Sequence, residues 1–280
     1  MKLDYFSLLS PLPYYIDNVG SVKSPTLREI SKLGYSTYQY LVSNLLISVD
    51  SYYKMINDSH EEYLCNFTEK EKENILHAKT NYEKADEDIK HNTSIYSIIM
   101  LDNILAKSIL CSLKFFFEDE ITYNIDTNTF LLFNGSINEN NEKVLTGVIN
   151  EKNYNHVIDI ILQRLNISRK QDEYDNVKTK NKIAENILKK LRKANKKNKT
   201  IPQKDDPKME FGNIISSISS HSKTLNILNV WDLTVFQLYD QFTRIKYDDL
   251  YIRNSISVSI WGDSENKFDE TIWFLNINKD

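Results

Sequence analysis

The sequence predicts a mainly α-helical protein: a helical bundle with a small antiparallel β-sheet insertion near 121–149 and a helical C-terminal block. Three observations lead there. Only 6 Gly and 5 Pro occur in 280 residues, and sheet-rich folds with many tight turns need more. Helix-capping signals are followed repeatedly by apolar residues at helical spacing. Residues 121–149 change character: ITYNI, TFLLFN and KVLTGVI are short β-like runs, separated by turn-forming Asp126–Asn128 and Gly135–Asn141.

In chain order, residues 1–23 read as extended, because Pro11 and Pro13 restrict their neighbours and Gly20 punctuates the segment. In SPTLREI, Ser24 fits a helix cap with Pro25 at the first helical position, and Thr26 with Glu29 offers a capping-box register instead. Gly34 interrupts that helix. Ser36 caps the next, whose apolar stripe runs through Tyr38, Leu41, Val42, Leu45, Val49, Tyr52 and Ile56. Thr68 and Glu71 form another capping box ahead of a charged helix. Ser94 opens a far more apolar one, through Ile98, Leu101, Leu105, Ile109 and Leu113 to Phe116, which reads as the central core helix. Tyr154–Leu165 returns to helix after the sheet. Residues 168–207 read as a basic helix and linker, and 208–280 as an aromatic-rich helical block holding Trp231, Trp261 and Trp273. Three regions follow: 1–167, 168–207 and 208–280. Ser255–Ile260 alternates strictly, which favours a strand, with a helix continuing from Asp248 as the other reading.

Composition excludes more than it selects. A net charge of −4 does not describe a general nucleic-acid binder. No uncharged apolar run reaches the roughly 20 residues of a membrane span, and the N-terminus has no secretion-signal pattern. A cytoplasmic protein with no membrane partner is expected. Cys65 and Cys111 make no disulfide framework and read as buried free thiols in apolar helical surroundings.

Motifs for chemistry are missing. The histidines and cysteines lack zinc-site spacing, so no metal is expected. No GxxxxGK[ST], GxGxxG or GxSxG occurs, so neither a nucleotide cofactor nor a nucleophile elbow is indicated. Asp86–Asp88 reads as a solvated face. The sequence therefore points to a protein that is not an enzyme, with no catalytic residues and no cofactor. The basic segment places Lys189, Lys190, Arg192, Lys193, Lys196 and Lys197 within 178–199. Such charge neutralises phosphates, yet few aromatics accompany it for base stacking. A solvated helix, or one facing acidic protein, is favoured over nucleic acid, and a membrane surface comes last.

NVWDLTVFQLYDQFTR, at 229–244, is the most informative stretch. Asn229 fits a helix start, and Val230, Leu233, Phe236, Leu238, Tyr239 and Phe242 recur at helical spacing. Trp231, Phe236, Tyr239 and Phe242, supported by Arg244, are the candidate partner-binding residues. Two roles stay open for them: core of the C-terminal block, or a surface for another protein. Leu27, Ile30 and Tyr38 face the same choice. Polar Arg28 and Glu29 complete the candidate set.

Several of these segments carry a resemblance. YFSLLSPLPYYIDNVGSVKSPTLREI at 5–30 resembles the opening of tail assembly chaperone-like proteins from the tail modules of phages and prophages of Gram-positive, clostridial-type bacteria. TGVINEKNYNHVIDIILQRLNI at 146–167 is similar to their middle segment. NILNVWDLTVFQLYDQFTRI at 226–245 and WGDSENKFDETIWF at 261–274 are similar to their ending. The resemblance spans most of the chain in order, but not 57–120 or the basic segment, and it carries no catalytic motif. It implies a non-enzymatic chaperone that binds the tape measure protein during tail assembly, with the tail-tube subunit and a second copy as further candidate partners. A long apolar helix aggregates unless its face is covered, and helix-in-groove packing covers it. The rival readings are a structural tail or virion component, and a nucleic-acid-binding regulator acting through 178–199.

Overall fold

The computed structural model describes residues 2–137, 143–167, 209–263 and 268–278. The chain divides into two compact units. The N-terminal unit comprises Met1–Leu165 with Asp232–Phe236, and the C-terminal unit comprises Asn166–Trp231 with Gln237–Asp280. The predicted class holds: helices dominate, with a small antiparallel sheet inserted among them. No described helix is long and apolar enough to cross a membrane.

The N-terminal unit opens with α1 (Tyr5–Leu9), capped by Asp4, and a two-stranded hairpin of β1 (Tyr14–Ile16) and β2 (Gly20–Val22). The expected extended segment is therefore folded. Asp4 supplies a local cap, and Asn18 turns the hairpin at φ 57°. α2 (Leu27–Leu33) uses the Thr26–Glu29 capping box rather than Ser24. Ser24 is instead buried and accepts from Arg164.

Gly34 ends α2, and α3 (Tyr35–Leu46) follows at once, with no side-chain cap from Ser36. The long stripe predicted to Ile56 is two helices. A Ser48–Ser51 capping box starts α4 (Val49–Asp58) afresh, so a local polar pair overrides a continuous apolar periodicity. Next come α5 (His60–Leu64), α6 (Glu69–Lys84) behind the predicted Thr68–Glu71 box, and α7 (Glu87–Asn92).

The central helix is also divided. α8 (Ile95–Ile99) stops at Met100, and α9 (Asn103–Phe116) begins after Asp102, which accepts from the Ile104 and Leu105 N–H groups at 2.8 Å. An uninterrupted apolar run conceals that break, because apolarity alone does not register a cap. α9 buries Leu105, Ile109, Leu113 and Phe116 and packs along α3. Cys111 lies off this face, and Cys65 follows α5 with its Sγ donating to the Glu62 carbonyl. Both thiols are exposed rather than buried.

The sheet has the order β3 (Glu120–Asn124), β4 (Thr129–Ile137), β5 (Lys143–Ile149), all antiparallel. Ile121, Phe130, Leu132 and Ile149 face the core. The β1–β2 turn presses on β5: Val148 donates its N–H to the Asn18 carbonyl at 3.0 Å. A Cβ on Gly147 would run into the Val19 backbone, so only glycine permits this approach. α10 (Tyr154–Arg164) closes the unit and buries Val157, Ile158, Ile161 and Leu162.

In the C-terminal unit, α11 (Phe211–His221) buries Ile214, Ile215 and Ile218. A 3₁₀ turn, Val230–Asp232, precedes α12 (Val235–Trp261). The helix predicted from Asn229 thus starts later, because Asn229 is used in a local turn. Its Oδ1 accepts from the Asn226 N–H at 2.7 Å. Ser255–Ile260 belongs to α12, so the strand expectation is overturned in favour of the helix continuing from Asp248. Unbroken i→i−4 bonding carries the helix through residues whose alternation suits a strand. A second 3₁₀ turn, Ile272–Phe274, lies near the end.

Candidate interaction surface

The stretch singled out in the sequence is divided between the two units. Asp232–Phe236 belongs to the N-terminal unit, where it lies beside the start of α2. Leu27 donates its N–H to the Leu233 carbonyl at 2.9 Å, and Thr26 forms an antiparallel bridge with Thr234. Arg28 grips Asp232 through Nε at 3.0 Å and a terminal nitrogen at 2.8 Å. Phe236 is 6% exposed and meets the Tyr5 ring edge-on. Four pairs of residues, each more than 200 positions apart, are thus brought into one structural joint.

Glu29 works within this joint. Burial pushes its carboxyl up, but the Thr26 N–H and the Lys23 ammonium outweigh that and hold it below the usual carboxylate range. Of the predicted set, then, Arg28, Glu29 and Phe236 secure the N-terminal unit, and Phe236 is core.

Arg164, which sequence reasoning did not single out, is buried beneath the same unit's first residues. Its Nε donates to Ser24 Oγ at 2.6 Å, and its terminal nitrogens donate to the Ser7, Ser10 and Leu12 carbonyls at 3.0, 3.2 and 2.5 Å. Burial lowers its pKa to about 10, so it stays charged at neutral pH, with Tyr14 acting weakly the other way. The guanidinium therefore staples the α1 segment by main-chain carbonyls. Its signal was a lone Arg or Lys within the largely apolar helix VIDIILQRL, where burial forces it to find acceptors.

Asp102 is the matching anion. It is fully buried and also accepts from the Tyr52 hydroxyl at 2.7 Å and the Tyr63 hydroxyl at 2.6 Å. A single acid inside an apolar stretch was its signal. Both groups are explained by the fold itself, since each binds the unit's own backbone and side chains.

The remaining candidates lie in the C-terminal unit. Trp231 is half-buried, and its indole N–H donates to the Ile227 carbonyl at 2.8 Å. Tyr239 meets Phe211 at 6.4 Å between ring centroids, and Lys246 sits 4.1 Å above the Phe242 ring. Arg244 donates to the Leu275 carbonyl at 2.8 Å and lies 4.0 Å from Asp240. All four are half-buried. The basic-patch residues Lys189, Lys190, Arg192, Lys193, Lys196 and Lys197 lie outside the described residues.

Ile214, Ile215, Ile218, Val230 and Leu238 are the buried apolar side chains described in this unit. Exposed large ones outnumber them: Ile227, Leu228, Ile252, Ile256, Ile260, Trp261, Trp273, Phe274 and Leu275 are among them. Leu228 is 81% and Trp261 83% exposed. Sequence reasoning favoured a strand for Ser255–Ile260 and so did not single out Ile256 and Ile260 as an exposed helix face. Among the described residues, no group of three His, Cys, Asp or Glu side chains is arranged to hold a metal ion.

Among the described residues, this unit is helical and its large apolar side chains are exposed more often than buried. Residues 196–278 match a family model described as the YomV second domain, YomV being a Bacillus phage-region protein. That similarity associates the C-terminal part of the chain with phage proteins. No curated protein and no solved structure matches the chain.

Proposed function

We propose that this protein is a phage tail assembly chaperone that binds the tape measure protein during tail morphogenesis without performing chemistry. The observation that carries the proposal is the excess of exposed over buried large apolar side chains among the described residues of the C-terminal unit. The phage association of residues 196–278 supports it. A tape measure protein is a long apolar helix that aggregates unless covered. Ile227, Leu228, Trp273 and Phe274 offer apolar contacts, and half-buried Trp231, Tyr239 and Phe242 add aromatic area at little cost in side-chain entropy. Several modest contacts suit a client that must be released when tube subunits polymerise around it.

The test is co-expression with the tape measure protein, followed by mass spectrometry of finished particles. The expected outcome is a soluble complex during assembly and absence from mature virions. Stoichiometric presence in mature virions makes the protein a structural tail component and ends the chaperone reading. Within the complex, Trp273→Ala together with Phe274→Ala is expected to weaken client retention by about tenfold.

A further inference from the structure

Asn134 is followed by Gly135, and no other asparagine in the chain precedes a glycine. The pair sits in the outer half of β4, past its last buried residue, Leu132, where Asn134 to Ile137 are all exposed. The β4–β5 register moves from Phe133 opposite Leu145 to Ile137 opposite Lys143. Asn134, Gly135 and Ser136 therefore bulge against Val144 alone, and among the described residues none of the three has a register partner in β3 or β5. Gly135 takes φ 81°, a left-handed value that disfavours a side chain, although a Cβ there would meet nothing within 4 Å. The Asn134 side chain folds forward over it, and its Oδ1 accepts from the Ser136 N–H at 3.1 Å.

We infer that Asn134 is a site of spontaneous deamidation, converted through a cyclic imide closed by Gly135. The Gly135 amide nitrogen gives up its proton to water and bonds to Asn134 Cγ. The Cγ–Nδ2 bond breaks, and Nδ2 takes protons from solvent and leaves as ammonia. One water then opens the five-membered imide. Addition at Cγ gives aspartate. Addition at the former main-chain carbonyl gives isoaspartate, with the chain rerouted through the side chain. The sum is asparagine plus water to aspartate or isoaspartate plus ammonia, so no oxidant, metal or enzyme enters.

The bulge favours the first step in three ways. Glycine puts no Cβ beside the nitrogen that must approach Cγ. A bulge interrupts the ladder that would otherwise hold this amide. The Ser136 N–H draws electron density from the Asn134 side-chain carbonyl and stabilises the negative oxygen of the tetrahedral intermediate. Exposure of all three residues admits the water that the last step consumes. Asn254, followed by the small Ser255, makes the contrast: it lies inside α12, where helical hydrogen bonding holds the main chain fixed. The product adds a carboxylate to the exposed part of β4, and in its isoaspartyl form one methylene group to the main chain, beyond the buried part of the strand.

The experiment holds the full, folded chain at neutral pH for days. Peptide mass spectrometry with fragmentation locates each conversion, and enzymatic methylation counts isoaspartate. Asn134 should convert ahead of every other asparagine. Asn134→Gln should abolish this early conversion, because glutamine must close a larger ring, and the exposed position leaves the circular dichroism spectrum unchanged. Gly135→Ala should slow the conversion several-fold. Conversion of Asn134 only after unfolding in urea overturns the inference, because the folded strand then protects the amide. Conversion of Asn254 at an equal or higher rate overturns it as well.

Discussion

Ile109, Leu113, Phe116, Phe130 and Ile161 are fully enclosed in the N-terminal unit, while in the C-terminal unit Leu228, Ile260 and Trp261 stand in solvent. Polar groups divide less sharply, since the C-terminal unit also buries Asp240. The N-terminal unit buries an arginine and an aspartate, each surrounded by partners from distant segments. Burying such groups is unfavourable unless the hydrogen bonding is complete, and completeness requires a fixed arrangement. The C-terminal unit has a handful of buried isoleucines and spends its aromatic residues near the surface. One unit encloses its large apolar side chains; among the described residues, the other leaves many of them in solvent.

The largest expected effect falls in the N-terminal unit. Asp102→Ala leaves two tyrosine hydroxyls and the first turn of α9 without their acceptor, and should cost about 4 kcal/mol in urea unfolding. The network also fixes an alkaline limit. Burial, with the Asp102 carboxylate beside them, pushes the Tyr52 and Tyr63 hydroxyls well above the usual tyrosine range. Their folded-state pKa is raised, so their contribution is intact below about pH 10 and is lost as pH rises beyond it. Tyr52→Phe should flatten that alkaline decline.

A paired substitution sharpens the comparison directly. Phe236→Ala removes a buried ring from the N-terminal unit and should cost about 3 kcal/mol. Phe242→Ala, six residues on and half-buried, should cost about 1 kcal/mol. Equal costs in thermal or urea unfolding would erase the distinction drawn between these two parts of one helix. Gly147→Ala should destabilise by about 2 kcal/mol, because the new methyl group meets the Val19 backbone rather than a movable side chain. The smallest effect has the opposite sign. Ser257 is exposed in α12, and Ser257→Ala should raise stability by about 0.4 kcal/mol through helix propensity alone, read as a small rise in Tm.

Local chemistry made much of this legible. The Thr68–Glu71 box, the Gly34 break and the three strands are written in short spacings that need no distant partner. The Thr26–Glu29 register was visible beside the Ser24 register, and choosing between them required Arg164, 140 residues away, to claim the Ser24 hydroxyl. Cys111 shows the reverse difficulty: an apolar neighbourhood in sequence placed it inside, but its angle on α9 turns it outward.

The candidate surface was less legible for the same reason. Trp231, Phe236, Tyr239 and Phe242 share one amphipathic stretch, yet Phe236 joins Tyr5 in the N-terminal unit while the others lie in the C-terminal unit. Helical periodicity says which residues share a face and is silent on what covers it. The exposed isoleucines of α12 were hidden by a period-two pattern, which is a true β preference overridden by a continuing helix.

By itself the sequence determined the helical class, the small sheet, the Thr68 and Ser94 caps, and the absence of familiar catalytic motifs. These rest on interactions within a few residues, which composition and spacing encode directly. Only the tertiary structure decided that Arg164 and Asp102 are buried staples, that Arg28 and Glu29 bind the joint at Asp232–Phe236, and that Ile252, Ile256 and Ile260 face outward. Exposure and long-range pairing depend on which segments pack together, and that is a property of the whole chain rather than of any stretch within it.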